Sequence, residues 1–264
     1  MYDSFLQSAL EANMHAFWRD YGKGPGSRMH ETADLVWFST ACSSPSCNRV
    51  LLARLEDDHI GPALDEIDRL ASAERKHFQW FVLPRRGPGE LTQHLKARRA
   101  QRIGELPGMV AATANIPPAA EIPGFRIERV SGIEQQRLWA RLAAAASGWE
   151  ETAAAEFERL EATFDEAVYD TRPRFIGYLD DKPVATSALV LEAGAAGLYA
   201  VSTLPMARRR GIGAEMTAAP LRMIDAARWP LATLQSSRLG LPIYERLGFR
   251  PICTFELYLQ RPIH

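Results

Sequence analysis

Residues 207–216 read ARRRGIGAEM: Arg208, Arg209 and Arg210 in a row, then Gly211 and Gly213 on either side of Ile212, then Ala214 and the start of a helical pattern. The first amides of a helix have no acceptor inside it, and the aligned peptide dipoles add about half a positive charge there. That end takes an anion. Glycine at 211 and 213 removes the Cβ atoms that would hold a phosphate away and allows the positive φ of a cradling turn. The arginines add attraction and charge-assisted hydrogen bonds. A diphosphate is the natural guest. The nucleoside-triphosphate loop, G-x-x-x-x-G-K-[ST], is not in the chain, and the dinucleotide fingerprint requires Gly or Ala where Met216 stands. A nicotinamide-dependent oxidoreductase is therefore disfavoured.

The turn must be delivered by the apolar run AAGLYAVSTL (195–204), which reads as a strand, and followed by a helix reaching about Arg228. Pro220 falls inside that helix, removes the bond to the Met216 carbonyl, and is expected to kink or break it at a cost of about 3 kcal/mol. LATLQSS (231–237) is the next strand, GLPIYERLG (240–248) a short helix, and FRPICTFELYLQ (249–260) the last strand. Upstream, FRIERV (125–130) is a strand, 133–146 and 152–168 are helical, and 174–180 and 182–192 are strands joined at Asp180-Asp181, a hairpin turn. The first half reads as an amphipathic helix over 4–22 and strands over 34–41 and 48–55. A helix over 61–73 follows, with Pro62 in its first turn, then a strand over 77–83, a helix over 91–104 and a short apolar strand over 107–114. The proline-rich NIPPAAEIPG (115–124) is the best linker, so the chain is divided into domains 1–118 and 119–264. Adjacent strands with a late crossover indicate an α+β fold of mixed layers.

At 264 residues, 47% hydrophobic and 24% charged, the chain has the composition of packed globular domains, and its length suits two of them. The formal charge of −1 gives no global reason to bind polyanions, so the arginine run must act locally. Lys96, Arg98, Arg99 and Arg102 are not interleaved with aromatics and read as a solvated helix face; no nucleic-acid partner is expected. Cys42, Cys47 and Cys253 support neither a disulfide framework nor a zinc site, so no metal is expected and a reducing cytoplasm fits. The first helix carries Glu11, Arg19 and Asp20 and lacks a basic leader, and no run approaches a membrane span; no membrane partner is expected.

The turn also matches [QR]-x-x-G-x-[GA] through Arg208, Gly211 and Gly213, and it is followed by LQSSRLGLPIYERLGF (234–249), ending in Tyr-x-x-x-Gly-Phe. With the strand before it and the helix after it, this region (125–259) resembles the GNAT superfamily of N-acetyltransferases. VWFSTA, NRV, FQWFVLP and PGM before the linker resemble the degenerate first half of tandem GNAT proteins; LPRRGPGEL there lacks the coenzyme spacing. The resemblance implies two tandem GNAT-like domains, each a mostly antiparallel mixed sheet flanked by helices, with acetyl-CoA held only by the second. It implies that the amides of Arg209, Arg210, Gly211, Ile212, Gly213 and Ala214 hold the diphosphate, beside Arg208. It further implies that Val201, Ser202 and Thr203 pair with the pantetheine arm in a gap between splayed strands, that a β-bulge aims an N–H at the thioester carbonyl, and that Ser237 belongs to the second coenzyme-binding block.

In such an enzyme an acceptor's primary amine attacks the thioester directly. Tyr244 is the implied proton donor to the departing thiolate: a phenol of pKa about 10 can protonate a thiolate whose conjugate acid lies near 8.5. From helical pattern alone Tyr244 is an amphipathic helix residue beside Ile243 and Leu247. No general base is assigned: His15, His30, His59, His77 and His94 precede the linker and His264 ends the chain, while Asp170, Glu192 and Glu215 read as solvated carboxylates. Cys253 reads as a small core residue. The alternative is a non-catalytic acyl-coenzyme A binding or sensing protein. The identity of the acceptor and the oligomeric state are left open.

Overall fold

The computed structural model describes residues 2–83 and 90–262; most of the glycine- and arginine-bearing run of the first half, 84–89, and His264 lie outside them. In chain order come α1 (Tyr2–Lys23), β1 (Arg28–Glu31), β2 (Leu35–Ser39), β3 (Arg49–Ala53), α2 (Asp57–Glu74), β4 (Phe78–Val82), α3 (Glu90–Ala97) and β5 (Gln101–Ala112). There follow β6 (Phe125–Arg129), α4 (Gly132–Ala146), α5 (Glu151–Glu161), α6 (Glu166–Thr171), β7 (Arg174–Leu179), β8 (Lys182–Glu192), β9 (Ala195–Thr203), α7 (Ile212–Arg222), β10 (Leu231–Gln235), α8 (Leu241–Arg246) and β11 (Arg250–Gln260).

Two compact units emerge, each from two stretches of chain: Met1–Trp18 with Pro107–Ile252, and Arg19–Leu106 with Cys253–His264. In the first, the end of β5 pairs antiparallel with β10, β10 pairs parallel with β9, and β9, β8, β7 and β6 continue antiparallel. Period-two alternation makes both faces of this sheet apolar. Ala185 and Leu189 of β8 share a core with Ile212, Met216 and Leu221 of α7, while Ala188 and Val190, of opposite parity, are buried too. On β9 opposite Ala188 is Tyr199, whose ring stacks on Phe17 of α1 and whose hydroxyl donates to Asn13 Oδ1 at 2.7 Å. The β7–β8 hairpin closes through Asp180 and Asp181, both left-handed (φ 48 and 61), as a two-residue turn with this twist requires.

The second unit orders its strands β1, β2, β3, β4, β11, antiparallel except for the β3–β4 pair. Its core gathers Ile60, Leu64, Ile67 and Ala71 of α2 against Val50, Phe78, Trp80 and Tyr258. Trp80 Nε1 donates to Gln260 Oε1 at 2.6 Å, so the indole is buried without an unpaired N–H.

Mixed, mostly antiparallel sheets flanked by helices agree with the expected fold class. Several elements differ from expectation. β1 follows the breaker at 21–27, and residues 101–104, read as helix, begin β5. Arg98 therefore does not lie on a continuous helical face: it bridges Asp65 and Asp68 at 2.6 and 2.7 Å, and Arg102 in β5 pairs with Glu105 at 3.0 Å. α2 starts at Asp57, so Pro62 lies inside the helix rather than in its first turn. The stretch 152–168 divides into α5 and α6, where Asp165 caps α6 by accepting from Val168 N. α7 ends at Arg222, two residues beyond Pro220, instead of near Arg228.

The segment 115–124 is packed rather than free. Pro117 O accepts from Arg222 Nη1 at 3.2 Å, Ala120 N donates to Glu215 Oε2 at 3.3 Å, and Ile116 and Ile122 lie against the α7 core. By contacts the chain thus divides differently from a cut at 118/119: unit boundaries fall inside β5 and β11. Chain order cannot foresee this, because the pairing of Ala112 with Leu231 is made across more than a hundred residues.

Candidate functional site

β9 is hydrogen-bonded to β8 from Ala195 to Thr203 but matched with β10 only from Ala195 to Leu198. Beyond Leu234, β10 continues along β5, with Gln235 opposite Gly108 and Ser236 N donating to Pro107 O at 2.8 Å. From Tyr199 onward one edge of β9 is therefore unmatched, and the two strands part. The expected β-bulge is present within this stretch. The β8–β9 register shifts between Thr186, opposite Ser202, and Ala188, opposite Tyr199, so Ala200 and Val201 stand against Ser187 alone. Ala200 is left-handed at φ 48.

Beyond β9, a single 3-10 turn (Pro205–Ala207) leads into Arg208. Arg209 (φ 62) and Gly211 (φ 82) are left-handed, and Gly211 is the N-cap of α7 with no side-chain bond capping the helix. The amides of Ile212, Gly213 and Ala214 consequently have no intrahelical acceptor. A Cβ on Gly213 would meet nothing closer than Ile243 Cδ1 and Thr203 Oγ1, each at 3.8 Å. Protein packing does not require glycine there, so the bare Cα leaves room for a guest close to the backbone. Ile212 is buried in the core and can offer only its amide. Arg209 and Arg210 are exposed and make no ion pair with any described residue.

Arg208 is engaged elsewhere. Its Nε donates to Thr203 O at 2.9 Å and its guanidinium reaches Ala146 O at 3.1 Å, tying the end of β9 to the C-terminus of α4. Its side chain builds the turn rather than facing an anion. Ser237 is exposed, and its hydroxyl accepts from Gly240 N at 3.1 Å at the entry to α8.

Tyr244 is buried, on α8, against Phe249 at 6.1 Å between ring centroids. A Cβ at Gly240 would stand 2.6 Å from Tyr244 Cε2, so this ring requires a glycine beneath it. Burial pushes the phenol up to about 12, opposed by a hydrogen bond with Thr217. Thr217 in turn donates to Gly213 O at 2.8 Å. The phenol therefore sits next to the first turn of α7, within the same group of side chains as Gly213, Thr203 and Ile243. Sequence reading missed Gly240 and Thr217; the only signal for either was the small residue one turn before Tyr244 and one turn after Gly213.

The three carboxylates considered as bases are all engaged in ion pairs. Glu215 pairs with Arg222, Asp170 with Arg129 at 3.1 Å, and Glu192 with Arg172 at 3.8 Å. Among the described residues no group of three or more His, Cys, Asp or Glu is placed to hold a metal, and no helix is long and apolar enough to cross a membrane.

A strand that leaves its parallel neighbour, a glycine turn and a helix with uncapped amides form the segment that the family model described as Acetyltransferase (GNAT) domain matches over residues 133–252. Residues 133–252 are a GNAT domain. Among solved structures, the chain is similar to a GCN5-related N-acetyltransferase from Kribbella flavida (23% identity, 96% of each chain covered, TM-score 0.66). It is also similar to a tandem GNAT protein from the clavulanic acid biosynthesis pathway (13% identity, 90% of this chain and 84% of that one, TM-score 0.59). A GCN5-related N-acetyltransferase from Sphaerobacter thermophilus aligns at 15% identity over 97% of this chain and 92% of its own, with a TM-score of 0.59. At these identities the likeness is one of fold. Among curated protein sequences none matches. The GNAT domain supports an acyltransferase that draws its acyl group from acyl-coenzyme A.

Proposed function

We propose that this chain is a cytoplasmic N-acetyltransferase that moves an acetyl group from acetyl-CoA to the primary amine of an acceptor, with one coenzyme site, in residues 119–264. The observation that carries the reading is the conjunction of a parted β9 edge with uncapped amides at 212–214 immediately after it. The diphosphate would lie on those amides, with Arg209 and Arg210 above it, and the pantetheine arm along Val201, Ser202 and Thr203. Residues 1–118 would be a GNAT-like half without a coenzyme turn, shaping the acceptor side.

In the reaction the neutral amine nitrogen bonds to the thioester carbon, the carbonyl oxygen takes the negative charge, and the C–S bond then breaks. The amine gives up one proton to solvent and the thiolate takes one. Tyr244 is the proposed source of the second. Its upward-shifted pKa makes it a reluctant acid toward a thiolate in water; a thiolate leaving in the same water-poor surroundings is pushed upward as well, which narrows the gap.

Titration with acetyl-CoA by calorimetry, followed by a screen of amines for release of the coenzyme thiol, tests the reading. One site per chain and thiol release with at least one amine are expected. No measurable binding would overturn it. The ion-paired state of Asp170, Glu192 and Glu215 favours one competing reading, a non-catalytic acyl-coenzyme A sensor, which binds but releases no thiol with any amine.

A further inference from the structure

Thr186 lies in the middle of β8, fully buried, at the step where the β8–β9 register shifts. Its Oγ1 donates to Ala200 O at 2.8 Å and lies 2.7 Å from Ser202 Oγ. A hydroxyl has one hydrogen; with it committed to Ala200 O, the second contact is donated by Ser202. These two bonds clasp the bulge from both ends. Ala200 is a non-glycine residue in the left-handed region, a conformation that persists only where its surroundings hold it. The bulge disrupts the backbone ladder at this point, and the Thr186 hydroxyl supplies an acceptor-side bond to Ala200 O within the disrupted stretch.

Resting on the acetyltransferase reading above, we propose that Thr186 is a positioning residue: its hydroxyl fixes the Ala200–Val201 bulge so that the peptide groups on the unmatched edge of β9 face the thioester carbonyl. Thr186 touches no coenzyme itself. Its effect passes through the carbonyl of Ala200 and the hydroxyl of Ser202. The consequence is selective: the diphosphate turn at 211–214 is held by other bonds, so coenzyme A, which has no thioester carbonyl, is bound independently of Thr186, and acetyl-CoA is not.

The test compares dissociation constants for coenzyme A and acetyl-CoA, measured by calorimetry on the full chain, in wild type, Thr186→Val and Thr186→Ser. The valine is close in shape and lacks the hydroxyl. Wild type is expected to prefer acetyl-CoA; Thr186→Val should lose about tenfold of that preference with its coenzyme A affinity unchanged, the scale of one hydrogen bond, and Thr186→Ser should retain it. Equal weakening of both ligands, or an unchanged ratio, overturns the proposal, as does a wild type without preference. A wild type that binds neither ligand overturns the acetyltransferase reading instead. If Thr186→Val does not fold, Ser202→Ala, which removes the other bond to Thr186, should shift the ratio in the same direction by about threefold; no shift there is equally decisive against it.

Discussion

Each unit contains a parallel strand pair bridged by a helix: β9–α7–β10 in the first and β3–α2–β4 in the second. The two helix entries differ in chemistry. α7 is entered through three arginines and a left-handed glycine N-cap. α2 is entered through Glu56, an extended N-cap at φ −69, followed by Asp57 and Asp58 in its first turn. Carboxylates there complement the helix dipole, each contributing about 0.3–1 kcal/mol, and repel any phosphate approaching the same amides. One backbone arrangement thus serves either as a self-satisfied helix start or as an anion cradle, and a handful of side chains decides which.

The largest effect is expected from making the α7 entry resemble that of α2. Gly213→Asp adds a carboxylate where the diphosphate would sit, and at about 5 Å and an effective dielectric near 20 one like charge costs about 3 kcal/mol, roughly 200-fold in acetyl-CoA affinity. The free space around Gly213 means the fold should survive, with a melting temperature within a few degrees of wild type. Calorimetry and thermal unfolding together check both halves of the statement; unaltered affinity would break the comparison.

Next in size is Tyr244→Phe, which should lower kcat by about 100-fold and leave the KM for acetyl-CoA unchanged, the signature of a lost general acid. Because burial raises this phenol to about 12, it stays protonated throughout pH 7–10, and the factor should be constant across that range in a pH–rate profile. The sign for stability follows. A phenol whose folded value lies above its unfolded value of about 10 contributes fully below pH 10 and loses that contribution as pH rises toward 12, so alkaline unfolding of wild type, but less so of Tyr244→Phe, should steepen there.

A smaller loss, about tenfold in acetyl-CoA affinity, is expected for Arg209→Ala with Arg210→Ala, and it should shrink as salt is raised, since both side chains are exposed. The smallest effect comes from the reverse exchange. Neutralising Glu56, Asp57 and Asp58 to their amides should cost about 1 kcal/mol of stability, read from urea unfolding, and should not create a second coenzyme site in the binding stoichiometry, because that entry also lacks glycine.

Much of this was legible along the chain. The strand, turn and helix at 195–222 announced themselves through apolar alternation, two glycines and the helical pattern after them, and Asp180-Asp181 marked a hairpin before any pairing was known. Other features were not. Arg208 matches the motif by type, yet its side chain is spent on Thr203 O and Ala146 O, and Ala146 is distant in sequence. Residues 115–124 have a linker's composition but pack on α7, since proline and alanine are as compatible with a packed strap as with a free one.

By itself the sequence determined the local geometry of the proposed site: which residues can take positive φ, which amides begin a helix, where cations cluster. Those depend on near neighbours, and near neighbours are written in order. Tertiary structure alone decided that β9 leaves β10 after Leu198, that Thr186 clasps the bulge, that Tyr244 is buried over Gly240 beside Thr217, and that β5 and β11 run across the unit boundaries. Each of these is a pairing of groups far apart along the chain, and only burial in a common core, where an unmet polar atom or a misfitting ring is costly, selects one partner among the many that composition allows.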